Sequence, residues 1–230
     1  MSFSEKFKNI AASGASKLGL DSLVSRFLLG RGGALAGQVA VLFCVGLYMG
    51  SESTGVYFTF LSVAAFQAVF EMGLGVVVTQ HAARLRAKLM KGSIDDEANT
   101  PINPHEDLDK LYGFVTFCSV AVATIAFCAF LLIGEVVLPS LFSGVLVPWR
   151  SPWVFTAFAV AGMLIVNLQM AYFEGAGFMR RALEVRVVMS IAGPCLAIVM
   201  VIQGMGLYSI AAGFLMQICL FCIWWLLSRS

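Results

Sequence analysis

Residues 57–86 read YFTFLSVAAFQAVFEMGLGVVVTQHAARLR, and this stretch decides the fold. Its apolar part is about as long as an α-helix needs to be to cross a hydrocarbon core of about 30 Å. A cationic run that contains Arg84 and Arg86 follows it, and one carboxylate, Glu71, lies inside it. A charge at membrane depth costs about 2.5 kcal/mol or more, so it normally faces a protein interior or a wet cavity. Glu71 is therefore the first candidate for a functional residue.

The composition of the whole chain is that of an integral membrane protein. Of its 230 residues, 60% are hydrophobic and only 12% are charged, and the mean hydropathy is +0.89. The apolar stretches are too continuous for the alternating strands of a membrane barrel. We therefore predict an all-α polytopic membrane protein with six transmembrane helices. The predicted spans are residues 27–49, 55–78, 111–137, 153–173, 185–202 and 207–227.

The charges outside these spans predict the orientation of the chain. Residues 1–26 alternate lysines with apolar residues, as a helix at the cytoplasmic interface does, and residues 89–110 form an acidic loop. With six spans, every Lys and Arg outside or at the edge of a span falls on one side, except Arg150. The positive-inside rule then predicts that both termini lie in the cytoplasm and that the spans cross the inner membrane.

Other polar residues at membrane depth accompany Glu71. At helical spacing, one stripe of small or polar residues should face inward: Tyr57, Leu61, Ala64, Ala68, Glu71, Gly75 and Thr79. Gln67 flanks this stripe one turn before Glu71, and Gln38, Arg31 and Asn167 are further candidates for a substrate or ion pathway. Glu71 would bind a coupling ion or proton, contact a substrate, or form a structural ion pair with a cation such as Arg31. Asn167 and Gln169 should point in different directions.

Two pairs of arginines are predicted to contact lipid headgroups. Arg84 and Arg86 follow the second span, and Arg180 and Arg181 follow a Gly-Ala-Gly sequence that should end the fourth span. In the first span, Gly33-Ala-Leu-Ala-Gly37 has the spacing that lets another helix approach closely.

The sequence does not indicate catalysis. The two histidines, His81 and His105, stand alone, and the carboxylates have neither catalytic nor metal-ligand spacing. The Gly30-Arg-Gly-Gly33 stretch lacks the strand and the terminal residues of a phosphate-binding loop. We therefore expect no enzyme, no catalytic residues, no metal, no cofactor and no nucleic-acid partner.

The same stretch carries a resemblance. Gly55-Val-Tyr57, then Glu71-Met-Gly-Leu-Gly75, then Thr79 and Arg84 resemble the second helix of the polysaccharide flippases related to the O-antigen exporters. These flippases belong to the multidrug/oligosaccharidyl-lipid/polysaccharide exporter superfamily, in which many members carry Asp where this chain has Glu71. Phe173-Glu-Gly-Ala-Gly177 is similar to the turn between the family's fourth and fifth helices.

The resemblance implies a function that the residues alone do not. Family members have two six-helix halves around a central cavity and move a lipid-linked oligosaccharide or polysaccharide precursor by alternating access. The resemblance therefore implies the amino-terminal half of such a transporter. Its expected partners are membrane lipid, a lipid-linked sugar and either a second six-helix half or a second copy of the chain. The alternatives are a non-transporting assembly or accessory subunit and a small-molecule or drug exporter of the same superfamily.

Overall fold

The chain folds into a bundle of helices. The structure, a computed structural model, describes residues 22–71, 73–92, 104–144 and 146–227, and every regular element in these ranges is helical. Residues 1–21 of the predicted interfacial segment and residues 93–103 of the acidic loop lie outside the described ranges. The helices are α1 (Ser22–Tyr48), α2 (Ser51–Ala65), α3 (Gln67–Glu71), α4 (Leu74–Gly92), α5 (Pro104–Val136), α6 (Leu138–Leu141), α7 (Arg150–Phe173), α8 (Met179–Ile202) and α9 (Ser209–Leu227).

Several helices are long and apolar enough to cross a membrane. In the described ranges they form four runs, Ser51–Lys88, Asp107–Leu141, Arg150–Ile202 and Gly206–Leu227, and a shorter apolar helix covers Gly32–Tyr48. Their outer faces expose large apolar side chains such as Phe43, 68% exposed, and Phe117, 74% exposed. Such a surface is stable against lipid and is rarely seen on soluble monomers. The protein is therefore an all-helical protein of the membrane-embedded type.

The contacts at the helix ends fix the direction of the last three long helices. Tyr208, just before α9, donates a hydrogen bond of 3.0 Å to the hydroxyl oxygen of Ser151 at the start of α7. At the other ends of the same two helices, the rings of Phe173 and Trp224 lie 5.2 Å apart. Since α7 and α9 thus run in the same direction, α8, which connects them, must run in the opposite direction. We call the two ends of the bundle the Ser151 end and the Trp224 end.

The reversal between α7 and α8 occurs in a single turn. Residues Glu174–Phe178 form a π-helical turn, in which Gly177 has a φ of +94°. Only glycine adopts this backbone conformation at little cost. The predicted end of the fourth span at this sequence therefore coincides with a change of chain direction.

Small residues let the helices approach closely. A Cβ atom built on Gly37 would lie 2.9 Å from the ring of Pro194, so α1 packs directly over the proline of α8. A Cβ atom on Gly33, the first glycine of the predicted packing motif, would lie 4.0 Å from Ile191, also on α8. The motif thus does what its spacing predicts, because both glycines face one neighbouring helix.

Aromatic side chains hold α2, α5 and α7 together near the Ser151 end. Trp153 of α7 donates a hydrogen bond of 3.1 Å from its indole nitrogen to the carbonyl oxygen of Phe130 on α5. Its ring also lies 5.0 Å from that of Phe60 on α2, in an edge-to-face arrangement. Gly134 makes room for this indole, because a side chain there would overlap it. All three aromatic side chains are buried, so this cluster fixes one end of the second predicted span.

The second predicted span is not one helix. The sequence predicts a continuous helix over residues 55–78, but α2 ends at Ala65, α3 covers Gln67–Glu71, and α4 begins at Leu74. Gly73 has a φ of +74°, which a regular helix cannot contain. The glycine that follows Glu71 by two residues therefore interrupts the helix.

Candidate functional site

A cavity of about 780 Å³ lies between α1, α2, α3, α7, α8 and α9. Its apolar wall includes Leu61, Pro194 and Phe214. Its polar wall contains amides, hydroxyl groups and one carboxylate from five separate helices: Gln38, Tyr57, Gln67, Glu71, Asn167, Ser209 and Gln217. A cavity of this size, largely apolar with a few convergent polar groups, has the general character of a ligand-binding site.

Glu71 and Asn167 form the closest polar contact of this cavity. The Nδ2 atom of Asn167, on α7, donates a hydrogen bond of 2.6 Å to Oε1 of Glu71, the last residue of α3. Both side chains are half-buried. The bond is charge-assisted when Glu71 is ionised, and such bonds are about twice as strong as neutral ones. Asn167 thus offsets part of the cost of holding a carboxylate at this depth.

The charge in the cavity is entirely negative. Among the described residues of its lining, Glu71 is the only one with a charged side chain. The amides of Gln38, Gln67 and Gln217 can each donate and accept hydrogen bonds, as sugar hydroxyl groups do. The site can therefore bind a neutral polyhydroxyl group or a cation, and it offers no described cation to an anion.

The break after Glu71 divides the predicted inward stripe. Its first five residues, from Tyr57 to Glu71, all line the cavity. Its last two contact α7 instead: the Thr79 hydroxyl group lies 3.0 Å from the carbonyl oxygen of Ala171, and a Cβ atom on Gly75 would lie 3.7 Å from the Ala171 side chain. A continuous helix would have kept all seven on one face, so the break separates the cavity wall from a packing surface.

The structure brings four of the five predicted pathway residues together. Gln38, Gln67, Glu71 and Asn167 line the same cavity. The side chain of Arg31 lies outside the described part of the structure, so the predicted alternative, an ion pair with Glu71, is neither shown nor contradicted.

Three residues of the polar wall were not among the predicted pathway residues: Tyr57, which was predicted only on the inward stripe, Ser209 and Gln217. Gln217 has a polar side chain within an apolar span, and this was its only sequence signal. Ser209 had no signal, since serines are common in membrane helices.

Asn167 and Gln169 point in different directions, as expected from their spacing. Gln169 is buried and donates a hydrogen bond of 2.9 Å to the hydroxyl oxygen of Thr116 on α5, away from the cavity. A second, smaller cavity of about 110 Å³ is lined by both Asn167 and Arg186, the latter on α8. Arg186 pairs with Glu174 at 2.9 Å.

The four arginines predicted to contact headgroups have different surroundings. Arg84 is exposed, as a headgroup contact requires. Arg86 is half-buried instead, and its guanidinium group donates a hydrogen bond to the carbonyl oxygen of Ala176 in the turn between α7 and α8. Arg180 forms an exposed pair with Glu184 at 3.4 Å. Arg181 is exposed and lines a third cavity.

No family model, curated protein or solved structure matches the chain. The resemblance to polysaccharide flippases therefore rests on the sequence motifs of residues 55–84 and 173–177 alone and stays an expectation. Within the described residues, no group of three or more His, Cys, Asp or Glu side chains could hold a metal ion.

Proposed function

We propose that the chain is a membrane transporter, or one half of one, that moves a lipid-linked oligosaccharide or polysaccharide precursor across the inner membrane by alternating access. The observation that carries this proposal is the cavity of about 780 Å³, where the Glu71–Asn167 pair meets three glutamine amides among apolar residues. A polar cavity between membrane helices is the general form of a transporter's binding site. The proposed substrate, a lipid-linked sugar, comes from the resemblance of the sequence motifs to those of polysaccharide flippases.

Six crossings are the topology we propose for this transporter. The run Arg150–Ile202 has 53 residues, about twice what one crossing needs, and it changes direction near Gly177. Counting it as two crossings, with α1 as the first, gives six and leaves both termini on the Trp224 side. Arg84, Arg86 and Arg181 lie on that side too, and the positive-inside rule then makes it cytoplasmic.

The chemistry of the cavity suits the sugar part of the substrate. Sugar hydroxyl groups both donate and accept hydrogen bonds, and the amides of Gln38, Gln67 and Gln217 match both roles. The pyrophosphate of a lipid-linked sugar would stay near the cytoplasmic arginines, since no described cation lines the cavity. Glu71 would then bind a sugar hydroxyl group or the proton that couples transport.

A second six-helix unit completes the transporter in this proposal. Six crossings with both termini on one side let a second copy, or a separate half, pack around an axis along the membrane normal.

Glu71→Gln tests the role of the carboxylate. The amide keeps the shape of the side chain and its carbonyl can still accept from Asn167, so the fold should persist while the charge is lost. We expect transport of a fluorescent lipid-linked oligosaccharide in proteoliposomes to fall about tenfold or more, the factor for losing one charge-assisted contact. Glu135→Gln, an exposed carboxylate near the Ser151 end of α5, is the matched control. Wild-type transport by Glu71→Gln, with loss of folding in Glu71→Ala, would make the carboxylate structural and favour the accessory-subunit alternative.

One observation favours the small-molecule exporter as the second candidate. Glu71 is the only charged side chain of the described cavity lining, and a lone carboxylate among apolar groups suits an amphipathic cation. Efflux of a cationic dye from the same proteoliposomes, without transport of the lipid-linked sugar, would select this function.

A further inference from the structure

A separate cavity at the Trp224 end is walled by aromatic rings. It has a volume of about 250 Å³, the space of about eight water molecules, and it lies between α5, α7, α8 and α9. Six aromatic side chains line it: Tyr112, Tyr172, Phe173, Phe178, Trp224 and Trp225. It shares no lining residue with the cavity around Glu71.

The rings are fixed by contacts with one another. The ring of Tyr172 lies 5.2 Å from that of Tyr112 and 5.6 Å from that of Phe173. Two polar groups of the wall are also bonded: the Tyr172 hydroxyl group donates to the carbonyl oxygen of Leu108 at 3.2 Å, and Trp225 donates to the Tyr112 hydroxyl oxygen at 3.2 Å. Because these groups are engaged in the wall, what the rings offer to a ligand is mainly their faces and edges. Ring faces carry partial negative charge and attract cations, quaternary ammonium groups above all.

Two opposite charges line the same cavity. Asp109 and Arg181 are both exposed, and they form no ion pair with each other or with any other side chain in the described part of the chain. A carboxylate beside aromatic faces strengthens the binding of an ammonium group. A guanidinium group binds phosphate through paired N–H donors. The site thus presents one partner for a cation and one for an anion, with no net charge.

We propose that this cavity binds a zwitterionic headgroup, an alkylammonium group joined to a phosphate, with the ammonium among the rings beside Asp109 and the phosphate at Arg181. The chemistry is shared by a phospholipid of the membrane and by a soluble phosphocholine-type compound. The cavity is too small for an acyl chain as well, and its place at the ends of apolar helices is where a lipid headgroup lies. Ordinary interfacial tryptophans and tyrosines face the lipid singly, whereas these rings surround a common space.

Binding to the purified full chain in maltoside micelles tests the proposal. The probes are three short-chain lipids below their critical micelle concentration: dihexanoyl-phosphatidylcholine, dihexanoyl-phosphatidylethanolamine and dihexanoyl-phosphatidylglycerol. Two of the four tryptophans of the chain lie in this cavity, so tryptophan fluorescence reports binding directly. We expect choline to bind tightest, ethanolamine next and glycerol weakest by about tenfold, because glycerol offers no cation to the rings. Equal binding of all three lipids, or no binding, would overturn the proposal.

Variants of Asp109, Arg181 and Phe178, which are all exposed, locate the site without threatening the fold. Asp109→Asn and Arg181→Gln should each weaken choline-lipid binding about tenfold, while the neighbouring changes Asp107→Asn and Arg180→Gln, which lie outside the cavity lining, should leave it unchanged. Phe178→Leu keeps an apolar side chain and removes one ring, so it should weaken binding about threefold. Equal effects of the site variants and the control variants would also overturn the proposal.

A last comparison identifies the source of the headgroup. Phosphocholine without acyl chains is titrated beside dihexanoyl-phosphatidylcholine. Equal affinity supports a site for a soluble compound, and tighter binding of the lipid by more than about tenfold supports a site for membrane lipid.

Discussion

Gly177→Ala should destabilise the protein through two separate effects at the turn between α7 and α8. The backbone of Gly177 has a φ of +94°, and an L-residue with a Cβ atom adopts such a conformation at a cost of about 1–2 kcal/mol. A Cβ atom at this position would also overlap the guanidinium group of Arg86, which must then leave the Ala176 carbonyl oxygen. The loss of this hydrogen bond costs about 1–2 kcal/mol more, a low value for a charged donor because Arg86 is half-exposed. The total is about 2–4 kcal/mol.

A double-mutant cycle separates the two effects. In an Arg86→Ala background no guanidinium group is displaced, so Gly177→Ala should cost only the backbone strain, about 1–2 kcal/mol. Gly204→Ala is the matched control, since Gly204 has a φ of +79° and a Cβ atom there would meet nothing within 4 Å. It should show the strain alone in both backgrounds. The measurement is the free energy of unfolding in mixed micelles of a mild detergent and dodecyl sulfate.

One contrary result is a cost of Gly177→Ala no greater than that of Gly204→Ala in the native background. The other is a cost of Gly177→Ala that is the same with and without the Arg86 side chain. Either result would mean that the guanidinium group does not stabilise the reversal of the chain.

Two further predictions concern the contacts between helices. Gly193→Ala should lower the free energy of unfolding by about 1–3 kcal/mol, because the new Cβ atom would lie 2.5 Å from the side-chain amide of Gln217 and 3.0 Å from the carbonyl oxygen of Gly213, both on α9. The control is Gly46→Ala, where a Cβ atom meets nothing within 4 Å, and it should be neutral or slightly stabilising in the same micelle assay. Thr79→Val should lower the free energy of unfolding by about 0.5–1.5 kcal/mol, since the Thr79 hydroxyl group lies 3.0 Å from the carbonyl oxygen of Ala171 on another helix. The control is Thr59→Val, because the Thr59 hydroxyl group bonds only within its own helix, and it should cost less. An equal cost of the two substitutions would contradict the interhelical role of Thr79.

The sequence predicts the helical class and the positions of the long helices because apolar length is a local property. The predicted span 153–173 lies inside α7, Arg150–Phe173, and the predicted span 207–227 differs from α9 and its leading turn by only one residue. The Gly33–Gly37 packing motif could be predicted for the same reason, since helical spacing alone puts both glycines on one face. The helix that packs against it could not be predicted, because that depends on the arrangement of the whole bundle.

The break in the second predicted span is a feature that apolar length and helical periodicity do not predict. Periodicity predicts one helix over residues 57–79, and the left-handed conformation of Gly73 interrupts that helix. Glycine is tolerated in membrane helices, so its presence does not by itself predict a break. The role of Arg86 was missed for a related reason: a cation after a span reads as a headgroup contact, and only the folded turn reveals the Ala176 carbonyl oxygen as its partner.

Gln169 shows what a purely structural polar residue looks like in this fold, and the comparison bears on Glu71. Gln169 is buried and bonded to Thr116 on the adjacent helix, so its side chain lies in a closed interface. Gln38, Gln67 and Gln217 instead face a common open volume. Interhelical hydrogen bonding alone would place polar groups between helices in contact, as it does for Gln169. The convergence of these amides with the Glu71–Asn167 pair on one cavity therefore favours the ligand-binding role that we propose over helix packing.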